Sequence, residues 1–463
     1  MRALLCVLAP CVLAGCTPPL ANAIALHNAG SLEAAVADLR SPEAGRAMRA
    51  ASKDQLLNLM EGGKIFQDGG AGPESIEALY QASRLGERFA TLDNRPGADE
   101  LVASAVVNPT MRTYRGTYSE RIRVDAYQVL NQLLAGNPRE AAVYARRTGE
   151  RQADATALQA REIAAAAKDA DAWRGGAARE QIQQILQSRE LRELDANAGY
   201  AAYLDPFASW IAGVAWCATG DAQEYAQGGT NLQEALQMMP ECGVLRAQVE
   251  RNPFAAARAG EAQVLVLFEN GVAPWYRQVS IPLFTPWTGV STIPVQVPEY
   301  SHPVVTALEV RAETGSVRTE LLADYNQIFG AQYRRMEPDI IFSTLVMVAV
   351  KEGATLGGYF ATRNSSAAQV GVLAAASLYK VLTNQADLRT WRTPGANIQI
   401  AQVPRPPSGA LDVALVGGGV EASARVDLPP GAVTLLYVRS VVPGQVRCFA
   451  APLWGTAPPA GAS

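Results

Sequence analysis

Ser377-Leu378-Tyr379-Lys380 has the spacing that sets a nucleophilic serine and a lysine base one helical turn apart. The companion elements of such enzymes, S-x-N and K-T-G, are missing. The four residues therefore read as a turn of ordinary helix, with Ser377 and Lys380 kept as the catalytic alternative. Arg146-Arg147 can hold a carboxylate or phosphate through bidentate bonds. The competing expectation is ion pairing with Glu140 or Glu150 on the same helix. Asp387, Arg389 and Trp391 form either a recognition edge or a local lock, with Trp391 as a core plug and Asp387–Arg389 as a pair. Tyr200, Tyr203, Phe207, Trp210 and Trp216 recur at helical spacing, which argues first for core packing and second for ligand stacking. The two histidines, His27 and His302, leave little for imidazole acid/base chemistry. The sequence holds no P-loop, G-x-S-x-G, H-E-x-x-H or C-x-x-C pattern. No catalytic residue, metal site or cofactor is expected.

The elements that must position these residues belong to a chain of 463 residues, long enough for two or three cores. Apolar residues make up 49% and charged residues 18%, which excludes a disordered tail. The net charge of −4 argues against a nucleic-acid-binding face, which needs a basic surface.

Residues 1–15 read as an address. Arg2 precedes the apolar run ALLCVLAPCVLA, which is too short to span a bilayer. The run ends in Leu13-Ala14-Gly15-Cys16, which resembles the lipobox of bacterial lipoproteins. That resemblance implies cleavage before Cys16 and lipid on its sulfur and new amino terminus, a stable anchor because it carries more than one acyl chain. Thr17 in place of an aspartate implies sorting to the outer membrane, on its periplasmic face. The alternative is plain secretion with cleavage after Ala21-Asn22-Ala23. Residues 16–30 then read as a tether. Cys217, Cys242 and Cys448 remain. A Cys217–Cys242 bridge is too long across one helical hairpin, Cys242–Cys448 is feasible, and three free thiols is the simplest reading.

Residues 31–258 carry helical periodicity and residues 259–451 strand periodicity, so the expected class is α+β, helices first. Three helical hairpins pair 52–67 with 73–90, 118–135 with a helix from 138, and 205–219 with 222–239. The second and third turns share G-[ND]-x-x-E-x-A, at Gly136–Ala142 and Gly220–Ala226. Such hairpins bury their apolar faces by stacking, and the pattern resembles tetratricopeptide repeats, though the two turns lie farther apart than in those repeats. Residues 148–200 read as an extended helical insert broken at Gly175-Gly176. Strands are expected at 263–268, 276–283, 290–297, 304–311, 396–403, 410–416, 423–428 and 432–439, with helices near 318–333, 338–356 and 367–384. Residues 452–463 read as a frayed tail.

Three stretches carry a wider likeness: Tyr114-Arg115-Gly116-Thr117-Tyr118-Ser119-Glu120-Arg121 running on to Arg146-Arg147, Phe268-Glu269-Asn270-Gly271-Val272-Ala273-Pro274, and Ala386-Asp387-Leu388-Arg389-Thr390-Trp391. In order and spacing they resemble an uncharacterised family of bacterial lipoproteins with a tetratricopeptide-like amino half and an α+β carboxyl half. The sequence departs from that family at Ala142-Val143-Tyr144-Ala145, where an acidic residue precedes the arginine pair, and at Arg392-Thr393-Pro394. The resemblance implies fold and location and brings no reaction.

The leading expectation is a non-catalytic, lipid-anchored scaffold of the cell envelope. It binds a protein partner through its helical surface, with Tyr114, Arg146, Arg147, Asp387, Arg389 and Trp391 as candidate contacts. The alternatives are a cell-wall- or lipid-acting enzyme, which needs a deep pocket with two convergent titratable groups, and a glycan or small-ligand carrier, which needs an apolar cavity.

Overall fold

The computed structural model describes residues 19–91, 110, 112–172, 204–285, 289–313, 315–336, 385–419 and 421–455. Outside them lie the apolar leader with Cys16, Tyr200, Tyr203, Gly175-Gly176, the stretches 338–356 and 367–384 with Ser377 and Lys380, and residues 456–463. The chain is mixed α and β, with helices mainly in its amino-terminal part and strands mainly in its carboxyl-terminal part.

Three short helices come first: α1 (Ala21–Asn28), α2 (Leu32–Leu39) and α3 (Pro42–Arg49). The expected tether is therefore corrected from residue 19 onward. Leu20, Ala23 and His27 recur one turn apart and are buried, so α1 is part of the core. The three expected hairpins follow, as α4 (Gln55–Asp68) with α5 (Gly72–Thr91), α6 (Tyr118–Leu134) with α7 (Pro138–Ala172), and α8 (Pro206–Ala218) with α9 (Ala222–Met238). Gly70, Gly136 and Gly220 close the three turns at φ of 79°, 76° and 81°, a left-handed conformation that costs glycine nothing. Thr117 and Glu120 start α6 with a reciprocal capping box, and Asp205 with Pro206 starts α8. Successive hairpins pack through α5 on α6 and α7 on α8. α7 runs unbroken past residue 148, so the insert begins as a continuation of the second hairpin's own helix. Two short helices, α10 (Gly243–Glu250) and α11 (Pro253–Arg258), lead into the strands. Among the described residues no helix is long and apolar enough to cross a membrane.

Eleven strands are described: β1 (Gln263–Asn270), β2 (Trp275–Thr285), β3 (Gly289–Glu299), β4 (Ala307–Ala312), β5 (Gly315–Arg318), β6 (Glu320–Asp324), β7 (Asn397–Pro404), β8 (Ala410–Val416), β9 (Ser423–Asp427), β10 (Val433–Ser440) and β11 (Arg447–Trp454). A helix, α12, covers residues 325–336. One sheet has the order β11-β10-β1-β7-β6, a second β5-β4-β8-β9, and β2-β3 is a separate ribbon. Among the described strands only β1 and β10 run parallel, at the centre of the first sheet.

Alternation along these strands sorts the layers. Leu265 and Leu267 of β1, with Leu435 and Tyr437 of β10, join the helical core. Val264, Val266 and Phe268, with Leu436 and Val438, pack instead on Leu308, Val413 and Leu415 of the second sheet. The five-stranded sheet is thus buried on both faces, helices on one side and a sheet on the other. The expected boundary at residue 259 marks where helices give way to strands, yet one core runs across it.

Two expectations need correction. Residues 320–324 form β6 rather than the start of a helix, because pairing with β7 overrides the helix-forming side chains of Glu-Leu-Leu-Ala. The expected tail from residue 452 is corrected at its start: Pro452, Leu453 and Trp454 belong to β11, which pairs with β10.

Candidate functional site

The titratable residues that converge do so where the helices meet the five-stranded sheet. On α4, Glu61, Lys64 and Asp68 follow one another at one-turn spacing along a buried face. On the sheet, Glu269, next to last in β1, faces Arg439 of β10 in register, while Tyr437 pairs with Leu267 two residues earlier. His27 comes from α1 and Tyr127 from α6. All eight side chains are buried.

Their hydrogen bonds close on one another. The Lys64 ammonium bonds to Asp68 Oδ1, lies 3.1 Å from Glu269 Oε2 and donates to Tyr437 Oη at 3.1 Å. Those contacts occupy its three donors. The Tyr437 hydroxyl donates to Glu269 Oε2 (2.7 Å), and Tyr127 donates to Glu269 Oε1 (2.8 Å). Arg439 Nε donates to Asp68 Oδ2 (2.9 Å), which also lies 2.8 Å from His27 Nε2. The remaining Arg439 donors reach the carbonyls of Gly271, Ser440 and Thr393. Two cations thus face two carboxylates. Burial alone pushes the Asp68 and Glu269 carboxyls up, but Lys64 and Arg439 outweigh it and hold both below the usual range. Burial pulls Arg439 down, and Asp68 with Glu269 more than reverses it.

A second group of contacts fixes the segment from Asp387 to Gly395. Glu120 accepts from the Trp391 N–H (2.9 Å) and from the Tyr114 hydroxyl (2.7 Å). Glu61 accepts from the Arg392 N–H (2.8 Å), the Thr393 N–H (3.2 Å) and the Thr393 hydroxyl (2.7 Å). Glu269 accepts from the Gly395 N–H (2.6 Å). Every backbone donor from 391 to 395 is therefore held by a buried carboxylate, since Pro394 has none. Gly395 is required by that approach: a Cβ there would lie 2.5 Å from Glu269 Cγ. Glu61 lacks a cation like those beside Asp68. Burial wins over its three hydrogen bonds and pushes its pKa up to about 7.

Of the candidate residues named from sequence, Tyr114, Asp387, Arg389 and Trp391 come together here. Trp391 is buried with its ring 5.6 Å from that of Tyr127. Arg389 lies 2.6 Å from both Asp387 Oδ2 and Asp54 Oδ1, and its guanidinium sits over the Tyr114 ring. These four act as a lock between halves, not as an open recognition edge. Replacing Arg389 with Met should lower the free energy of unfolding by about 2 kcal/mol, the scale of lost charge-assisted hydrogen bonds, as read by urea denaturation. Arg146 and Arg147 lie elsewhere, on the second hairpin. Arg146 is exposed over the Trp216 ring, and Arg147 is half-buried over Tyr144. Neither pairs with Glu140 or Glu150 among the described contacts. Phe207, Trp210 and Trp216 are core residues of α8, with Trp210 Nε1 donating to Gln248. Cys217, Cys242 and Cys448 are free, burial pushing each thiol up to about 11.

A cavity of about 20 Å³ opens beside the lock, lined by Ser119, Glu120, Arg123, Tyr325, Gln332 and Trp391 among others. It is the size of a water molecule, not of a sugar or an acyl chain. Among the described residues no cluster of His, Cys, Asp or Glu is placed to hold a metal.

No protein-family description, curated protein or solved structure matches this chain. The site therefore rests on its own geometry. Sequence reading missed the ion cluster. Its available signal was the end of two apolar runs, QVLVLFEN and VTLLYVRS, where Glu269 and Arg439 carry opposite charge on the same strand face.

Proposed function

We propose that this chain is a non-catalytic, lipid-anchored scaffold of the bacterial outer membrane. On this reading its helical hairpins stack in the manner of tetratricopeptide repeats, and it belongs with the uncharacterised lipoproteins it resembles. A protein partner of the envelope binds the outer helical surface. The observation that carries the reading is the use made of the buried charges. Lys64, Asp68, Glu61, Glu120, Glu269 and Arg439 spend their hydrogen bonds on joining helices to sheet and on holding residues 391–395. Chemistry of that kind fixes a surface in one shape, which is what a scaffold needs. Val143, 47% exposed, and the neighbouring exposed Arg146 mark an outer face of α7 suited to contact.

Crosslinking in intact cells tests the reading. A defined envelope protein should be captured by the wild-type chain. Its capture should fall when Cys16→Ala removes the lipid site, and should fall again with Val143→Glu/Arg146→Glu at unchanged protein level. Capture indifferent to all three substitutions would sink the proposal.

A further inference from the structure

The first helix is built into the body along its whole length. Leu20 and Ala23, at its start, are 1% and 0% exposed and belong to the helical core. His27 Nε2, near its end, lies 2.8 Å from Asp68 Oδ2 in the ion cluster. Just beyond, the Gly30 carbonyl accepts from Gln445 Nε2 at 2.8 Å, and a Cβ on Gly30 would lie 2.6 Å from Val442 Cγ2. Peeling α1 away would uncover Leu20 and take a partner from buried Asp68. The helix is therefore no reserve of slack chain.

Cys16 stands four residues before Leu20. Four residue steps reach at most about 14 Å, even fully extended. Pro18 and Pro19 each fix φ and leave the segment stiff. A long flexible tether would let the body tumble above a membrane. A leash of this length does not, because the headgroup layer is itself roughly 5–8 Å deep. An acylated Cys16 thus draws the start of α1 down to the bilayer.

The surface around that point is polar. Asn22 is exposed and donates to Asp38 Oδ1, near the end of α2, at 2.7 Å. Arg40, exposed just after α2, lies 2.6 Å from Glu74 in the first turn of α5. None of the large apolar side chains exposed among the described residues lies within 19–91. Such a face suits phospholipid headgroups and has little to offer the hydrocarbon beneath them.

We infer that the start of α1, with the α2–α3 corner and the first turn of α5, is the membrane-facing surface of the protein, laid on the phospholipid headgroups. The inference rests on the anchor reading and adds an orientation to it. A reference position lies on α10, which packs on β6 and β7. That is the other edge of the five-stranded sheet from the β10–β11 turn that holds Gly30.

The test labels single introduced cysteines with maleimide-polyethylene glycol in isolated outer membranes and again after detergent extraction, read above the wild-type background. Asn22→Cys should label about tenfold more slowly in membranes than in detergent, as for a site open a tenth of the time. Arg251→Cys, at the end of α10 with its side chain 61% exposed, should label equally fast in both. Inserting about 15 Gly/Ser residues between Thr17 and Pro18 adds about 20 Å of reach and should abolish the protection of Asn22→Cys. Equal labelling of Asn22→Cys in membranes and detergent, in a chain that sediments with membranes, would overturn the inference and leave the anchor standing. Protection that survives the inserted linker would assign the cover to a protein and overturn it too. A wild-type chain found only in the soluble fraction would overturn the anchor and the orientation together.

Discussion

Asp68→Asn is expected to lower the free energy of unfolding by about 3–5 kcal/mol, the range for removing one partner of a buried ion pair. Asparagine keeps the shape of the side chain and removes the charge. Lys64 and Arg439 then face Glu269 alone, with no solvent to take up the surplus. The amide also brings two hydrogens to a position that accepts from Lys64 and Arg439 and lies beside His27 and Tyr437. Urea denaturation reads the effect as a shift of the midpoint at constant slope. The double variant Lys64→Met/Asp68→Leu removes one charge of each sign and leaves Arg439 with Glu269. It should recover a large part of the loss, because a balanced apolar replacement is far less damaging than a broken pair. A loss below about 1 kcal/mol in Asp68→Asn, typical of exposed pairs, would show that the cluster is hydrated.

Stability should pass through a maximum near pH 5. Asp68 and Glu269 have folded-state pKa values below their unfolded ones. Their contribution is present above the unfolded values and is lost as the pH falls below about 4. Glu61 has the opposite sign. Its folded pKa is about 7, against 4.5 for an ordinary glutamate. Between those two values the folded protein keeps a proton that the unfolded chain has released, so stability falls as pH rises. The drop across that window is of order 3 kcal/mol, at about 1.4 kcal/mol per unit. Above pH 7 both states are ionised and the slope vanishes. Protonated Glu61 sits easily in this environment because the Thr393 hydroxyl can turn from donor to acceptor. Chemical denaturation from pH 4 to 8 should show the falling limb in wild type and a shallower one in Glu61→Gln, where Asp125, Asp205 and Asp324, also pushed up by burial, still contribute. A falling limb of equal size in the variant would assign the effect to another group.

Hairpins and strands were readable because they depend on local chemistry. Gly136-Asn137-Pro138 and Gly220-Asp221 announce turns wherever they occur, and the run at 263–268 is apolar on both faces because both are covered. Non-local pairing was harder to see. Residues 320–324 have helix-forming side chains and become a strand because β7 is beside them. Glu61, Lys64 and Asp68 look like the polar face of an ordinary helix, and nothing nearby in sequence says that a sheet covers them. Arg389 and Trp391 were readable as a lock because Asp387 lies close in sequence. Their second partners, Asp54 and Glu120, lie 335 and 271 residues away.

The central parallel pair also dictates an order of events. β1 and β10 are joined by contacts spanning 170 residues, and Asp68 meets Arg439 across 371. A ribosome releases α4 long before β10, so Lys64 and Asp68 exist for most of synthesis without the strand that seals them. Ending the chain before residue 433 would leave α1, α4 and α6 facing a sheet that lacks β10 and β11, two of its five strands. Such long-range pairing slows folding and prolongs exposure of apolar surface. The helices made first are therefore clients of whatever holds unfinished chains soluble, until the last strands arrive.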